Sequence, residues 1–320
     1  CLLPHPDSPE TGCGPWKVTH FTPELVRLES HARWHLQRPL IQVVEYWITP
    51  QLFAHGLGTS CRHPVQIAIG DPGELDALRP VDHSISLGFC YLAPRISHRL
   101  SAAQAKALIA LIQLSGVIQQ LPLDEGLITP SQELLPGWPV PPMKMTGVTL
   151  PKKLTLHYHL PIELHVMAQA LVPLLAQHGC ELTCVFHDVK SWRDDTDLSE
   201  ADVVMGDRLI GDAPLFTLVN WLENDPLWNP LRASVLQAPL GAIAQQQSPE
   251  RRAALTHQLF QQLMNEGHLL PLFNYRYQVF APPGVEGIQL NTLGWFDFTR
   301  AWIPPPAAAG TVQPAPEPVP

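Results

Sequence analysis

Charge is scarce in this chain, and positive charge is the scarcer sign. Of 320 residues 15% are charged, 20 Lys and Arg stand against 29 Asp and Glu, and the formal net charge is -9 at pH 7. Phosphate backbones are held by clustered cations. The cations here are scattered, which argues against a nucleic-acid surface in this segment. No run approaches the roughly 20 apolar residues of a spanning helix, and the N-terminus lacks a charged stretch followed by an apolar core. No membrane contact is expected from this segment. Catalytic signatures are missing too: there is no Gly-x-Ser-x-Gly, no Gly-Lys-Thr/Ser and no Gly-x-Gly-x-x-Gly. His31 and His35 have helical spacing but lack the Glu of a zinc protease motif. The run Asp194, Asp195 and Asp197 lacks the Gly and distant Glu of a calcium loop. No enzyme activity, cofactor or metal is therefore expected.

The six cysteines, at 1, 13, 61, 90, 180 and 184, lack the paired short spacings of a zinc site. Cys180 and Cys184 are four apart, at the start of and within a predicted strand, so they form no redox turn. Free, mostly buried thiols in a reducing cytoplasm are the plainer reading, and an oxidised periplasmic chain is the other.

What the chain does have is proline, 35 residues of it, about twice ordinary usage. The prolines concentrate over 136–151, read as a rigid surface loop, and after Ile303, read as a disordered tail over 304–320. Between them strands and helices alternate, which is an α/β pattern. Strands are predicted over 26–29, 41–48, 65–69 and 85–92. A helix is predicted over 101–121, with Ser101 as N-cap and Leu111, Leu114, Ile118 and Leu121 at helical spacing. The clearest unit is a strand over 154–158, a helix over 162–178 stopped by Gly179, and a strand over 181–186. That spacing is a parallel crossover, with Pro173 expected to kink the helix. Ser248 and Pro249 read as N-cap and N1 of a further helix, with Leu255, Leu259 and Leu263 as its apolar stripe and Gly267 as its stop.

Four segments carry a family resemblance: the start with His5-Pro6 and Gly12-Cys13-Gly14-Pro15-Trp16, the loop Leu134-Leu135-Pro136, the region 192–216 with Ala201-Asp202-Val203-Val204, and the close over 288–302. They resemble the C-terminal half of the SgrR-like transcriptional regulators of sugar-phosphate stress, which looks like a family 5 solute-binding protein. The resemblance implies an α/β, two-lobed, periplasmic-binding-protein-like fold (type II, family 5) with the N-terminal part of the first lobe missing. Mapped here, 1–82 is a first-lobe remnant, 83–270 the second lobe and 271–303 the return. It also implies a cytoplasmic sensor of a small-molecule solute, with a sugar phosphate as the first candidate. DNA would be reached only through an N-terminal winged-helix domain outside this chain. The alternative is an exported peptide-binding receptor of an ABC transporter, periplasmic or a cell-surface lipoprotein with Cys1 as the lipid-bearing residue.

Candidate ligand residues follow from that chemistry. Tyr91, Arg95, His98 and Arg99 lie where a strand meets the helix opening after Ser101, and a helix N-terminus adds donors and a favourable dipole for an anion. Against this stands a solvated basic loop, the more common case. Gly206 lets a backbone approach a ligand and Asp212 can accept sugar hydroxyls, against an ordinary strand-to-helix turn. Trp221 can stack on a sugar, though tryptophans at its spacing from Trp228 are more often core. Trp295, Phe296 and Phe298 are expected to pack against the return strand. His157 and His159 share a strand face, where satisfied or exposed histidines are commoner than ligands.

Overall fold

The computed structural model describes the chain apart from residues 1–3, 6–7, 13, 48–67, 70–78, 124–127, 160–161, 189–197, 212, 282–283, 291–295 and 304–320. The acidic run at 194–197, Asp212, Trp295 and the tail lie outside the described residues, as does most of the strand expected over 65–69. The chain divides into two compact units, 1–84 with 278–320 and 85–277.

The first unit opens with a short antiparallel pair, β1 (Pro4–His5) and β2 (Ser8–Gly12). An antiparallel sheet of β3 (Trp16–Phe21), β4 (Leu25–Ser30) and β5 (Val43–Trp47) follows. Arg27 on the middle strand reaches Glu45 at 2.9 Å and Glu29 at 3.3 Å. Next comes β6 (Ala68–Ile69), which pairs with Val279 and Phe280 near the end of a much later strand.

The second unit is built on one mixed sheet. Its strands are β7 (Arg79–Pro94), β8 (Ile128–Pro130), β9 (Lys153–Tyr158), β10 (Glu181–Phe186), β11 (Val203–Leu209) and β12 (Leu270–Ala281). The order is β10-β9-β11-β7-β12, with β8 also on β12. β10 and β11 both run parallel to β9, and β7 runs antiparallel to β11. The parallel β9–β10 pair is joined by helix α2 (Ile162–Gln177), the crossover the sequence spacing predicts, with Pro173 inside the helix.

Helix α1 (Ala102–Ser115) starts with a capping box, Ser101 accepting from the Gln104 backbone while the Gln104 side chain returns to the cap. The apolar spacing predicts a helix to residue 121, but α1 stops at Ser115 because Gly116 turns left-handed at φ 69°, and Ile118–Gln120 form a separate 3-10 turn. Contrary to the expectation that no run is apolar enough, Ala102–Gln120 is long and apolar enough, by length and composition alone, to cross a membrane. In this fold its Leu108, Ile109 and Ile112 are core residues. Beyond the sheet lie α3 (Pro214–Asn224), α4 (Gln237–Gln245) and α5 (Pro249–Asn265). Ser248 caps α5 by accepting from the Arg251 N–H, with Pro249 in the first turn.

Strand alternation sorts the sheet's side chains into two cores. Cys90 and Leu92 of β7 join Leu154, Leu156 and Tyr158 of β9 beneath α1 and α2. Phe89, Tyr91 and Ala93 go the other way, joining Trp221, Trp228, Phe260 and Leu263 of the second helical layer. The described cysteines Cys90, Cys180 and Cys184 are free, and burial raises each thiol above its usual value.

The chain then returns to the first unit through β13 (Gln289–Leu290) and β14 (Phe296–Asp297), which pair antiparallel. Gly287 sits at φ 70°, where a Cβ would stand 2.2 Å from the Arg300 carbonyl oxygen, so this close approach admits only glycine. Phe298 meets Tyr46 of β5, ring centres 6.4 Å apart.

Candidate functional site

Because β9, β10 and β11 run the same way, their carboxyl ends gather at one edge of the second unit, where open α/β sheets bind ligands. The end of β11 switches from Val203, Val204 and Met205, all buried, to Asp207 and Arg208, both partly exposed. Arg208 donates through Nη2 to Asp225 at 2.7 Å, and its guanidinium carbon stands 5.0 Å from the centre of the Trp221 ring. Asp225 also accepts from Trp221 Nε1 at 3.1 Å and from the Leu227 N–H at 2.9 Å. Three donors therefore fix one carboxylate, and that carboxylate fixes Arg208. The Arg208 Nε is buried without a hydrogen-bond partner.

Asp207 points to the other face of β11, where the Tyr275 hydroxyl donates to its Oδ2 at 3.1 Å. Just past the end of β9, His159 places Nε2 3.7 Å from Asp207 Oδ1. Burial pushes the His159 imidazole below its usual value; Asp207 and Asp225 oppose that shift, while Arg208 and His187 add to it. Past the end of β10, His187 Nε2 lies 3.0 Å from Nδ1 of His157, which is buried. Burial lowers the His187 value too. Gly206 is the floor between these groups. A Cβ there would stand 2.7 Å from the Tyr91 hydroxyl and 3.1 Å from His159 Nε2.

Of the residues singled out by sequence, Tyr91, Gly206 and Trp221 come together here. Tyr91 faces Gly206 in register, and its ring centre is 4.8 Å from that of Trp221. Both rings are 2% exposed, so they form the base beneath Arg208 rather than an open stacking face. Burial, with Asp225 adding, drives the Tyr91 phenol far above its usual value.

Arg95, His98 and Arg99 lie at the opposite end of β11, roughly 20 Å away at about 3.3 Å per strand residue. Arg95 donates from its backbone to the Asp202 carbonyl at 2.8 Å and from its guanidinium to the Leu198 carbonyl. Arg99 reaches Glu200 at 2.9 Å, and its Nε lies 2.9 Å from Asp202 Oδ1, an ion pair by distance without hydrogen-bond alignment. Asp202 is 3% exposed and also accepts from the Thr155 N–H. The two arginines thus fasten the connection to the start of β11, and His98 is exposed.

Sequence reasoning missed Asp207, Arg208 and Asp225 as site members and set His159 aside. The available signal was a charged pair ending an otherwise apolar strand. Among the described residues no group of three or more His, Cys, Asp or Glu could hold a metal ion.

The α/β fold is that of the family 5 periplasmic-binding proteins. It resembles NikA from Brucella suis in complex with Fe(III)-EDTA (TM-score 0.72, 14% identity, 93% of this chain and 69% of that one). It also resembles a dipeptide binding protein from Pseudoalteromonas sp. SM9913 in complex with Met-Leu (TM-score 0.67, 16% identity, 91% of this chain and 64% of that one). By sequence the chain is 53% identical over 311 residues to the uncharacterized protein YbaE of Escherichia coli strain K12, covering 95% of this chain and 55% of that protein. It is 27% identical over 316 residues to the HTH-type transcriptional regulator SgrR of Salmonella typhimurium strain LT2, covering 92% of this chain and 51% of that protein. The chain spans about half the length of these curated relatives. No family model matches it.

Proposed function

We propose that this chain is the solute-sensing module of an SgrR-like transcriptional regulator, working in the cytoplasm, with the DNA-binding element outside the chain. The observation that carries the solute-binding part is the fixed cluster of His159, Asp207, Arg208 and Asp225 at the carboxyl ends of β9 and β11, in the fold of solute-binding proteins. The regulator part is supported by the similarity to SgrR over 92% of the chain. On this reading 85–277 is the second lobe, and the first unit, up to residue 303, is the part of the first lobe present here. Tyr91, Gly206 and Trp221 form the base of the ligand site. Arg95 and Arg99, at the opposite end of β11, hold the start of that strand and are not part of this site. Sugar phosphates and peptides are the two solute classes the reading brings forward.

A specific observation favours a second reading. The likeness to a dipeptide-binding protein suits a peptide receptor of an ABC transporter, exported rather than cytoplasmic. One experiment tests both. The chain is screened by thermal shift against sugars, sugar phosphates, dipeptides and polyamines, and any hit is added to the full-length gene product in a DNA-binding assay. A solute that stabilises the chain and changes DNA affinity supports the regulator. Stabilisation with no DNA binding by the full-length product supports the transport receptor, and no stabilisation by any solute rejects solute binding.

A further inference from the structure

We propose that β10, the outermost strand of the second unit's sheet, is a docking edge for a second copy of this chain, the two β10 strands pairing antiparallel about a twofold axis through Cys184. The inference does not depend on which solute the chain holds.

A sheet margin that ends in a bare strand presents a row of N–H and C=O groups ready to pair. The sheet's other margin is covered, since β12 carries β6 and β8. β10 pairs with β9 on its inner side, and among the described residues no strand lies on its outer side. The ladder fixes which groups are bare. The Glu181 N–H donates to the Lys152 carbonyl and the His187 N–H to the Tyr158 carbonyl, each at 2.8 Å, so Glu181, Thr183, Val185 and His187 turn their backbone polar groups to β9. Leu182, Cys184 and Phe186 turn theirs outward. β10 is six residues in unbroken register, without the proline, lysine or bulge that guards an exposed edge.

The side chains decide which strand fits. An antiparallel partner must bring its own outward-facing residues opposite Leu182, Cys184 and Phe186. β10 does this to itself in one register: Cys184 meets Cys184 of the second copy, and Leu182 meets Phe186 in both directions. All three positions are then matched, and apolar side chains face apolar ones, including Phe186, which is 50% exposed in the single chain. On the other face of the strand Thr183 meets Val185, and Glu181 meets His187, an acid opposite a base. No like charges confront each other across the pair. The helix above the edge adds little charge. Ala168 of α2 lies over Cys184, whose thiol donates to its carbonyl at 3.9 Å. α2 brings a single fixed charge, Glu163 in its first turn, and its exposed positions Gln169, Pro173, Ala176 and Gln177 are neutral. A self-matching strand under a nearly uncharged helix is what a closed, isologous pair requires.

The test follows the whole chain by sedimentation velocity and by amide hydrogen exchange, from low to high micromolar concentration. Expected is a reversible dimer in which the Leu182, Cys184 and Phe186 amides slow at least about tenfold on concentration. The Thr183 and Val185 amides, bonded to β9, are slow throughout. Cys184→Pro removes an outward donor and leaves the β9 ladder whole. It should weaken the dimer at least about tenfold, while the thermal midpoint of the dilute chain changes little. A chain that stays monomeric, a dimer whose three outward amides stay fast, or a dimer that a folded Cys184→Pro keeps at full strength overturns the inference. Outward amides already slow in the monomer overturn it too, because the chain then covers its own edge. If Cys184→Pro does not fold, the exchange pattern of the unaltered chain decides alone.

Discussion

Arg208 lies across the face of Trp221, its guanidinium carbon 5.0 Å from the ring centre, while the indole N–H of that tryptophan donates to the Asp225 carboxylate that also holds the arginine. The three side chains form a closed loop of contacts, so a change at any one is felt by the other two.

Removing the shared acceptor should be the costliest polar change in that loop. Asp225→Ala leaves a guanidinium, an indole N–H and the Leu227 N–H without their partner, and is expected to lower stability by about 2–3 kcal/mol. Trp221→Phe keeps most of the ring but drops the indole donor, and is expected to lose about 1 kcal/mol. Urea unfolding of the two variants checks the ranking.

Gly206 has no room for a methyl group. Gly206→Ala places a Cβ 2.7 Å from the Tyr91 hydroxyl and 3.1 Å from His159 Nε2. Tyr91 is buried against Trp221, so the strain falls on the strand or on His159. A loss of about 1–3 kcal/mol is expected, with a shift in the His159 resonance by NMR.

Asp202 serves stability at the other end of β11. Asp202→Ala strips the Thr155 N–H and Arg99 of a nearly buried carboxylate and should lower stability by about 3 kcal/mol. Asp202→Asn should cost less, because its amide oxygen can still accept from Thr155. Thermal unfolding of the pair distinguishes them.

Stability should fall as the solution is made acidic. His159, His187 and His268 all have values depressed below 6.5, chiefly by burial. The unfolded chain therefore binds protons near pH 6.5 that the folded chain refuses. Stability is full above that value and is lost as pH falls from there through the folded values. His268 is the simplest probe, buried and 3.5 Å from Glu266. His268→Gln should flatten the slope of the urea midpoint between pH 7 and pH 5, and an unchanged slope would remove His268 from the account.

The sequence was most readable where local signals sufficed. The β9–α2–β10 crossover follows from apolar spacing and a glycine stop, and α5 from Ser248, Pro249 and Gly267. Both depend on neighbours within about 20 residues. The pattern predicts a strand over 85–92 where β7 runs from Arg79 to Pro94, because the polar early part of the strand has no alternating pattern. The site was harder for the same reason at longer range. Arg95 and Arg99 look available in sequence because Leu198, Glu200 and Asp202, their partners, lie about a hundred positions on. Arg208 looks like a turn residue until Asp225 and Trp221 close around it. His159 gains its meaning only from Asp207 on a strand that is adjacent in space and distant in chain.

The second unit is one uninterrupted stretch, entered within β7 and left within β12, and these are neighbouring strands of a single sheet. Entrance and exit are therefore side by side. A segment of that kind can be exchanged as a cassette by two crossovers in a gene, bringing a whole site, with Tyr91, His159, Asp207, Arg208, Trp221 and Asp225 together, into a host that supplies only two adjoining strand ends. Descent could then change the side chains at this edge without rebuilding the strands on either side.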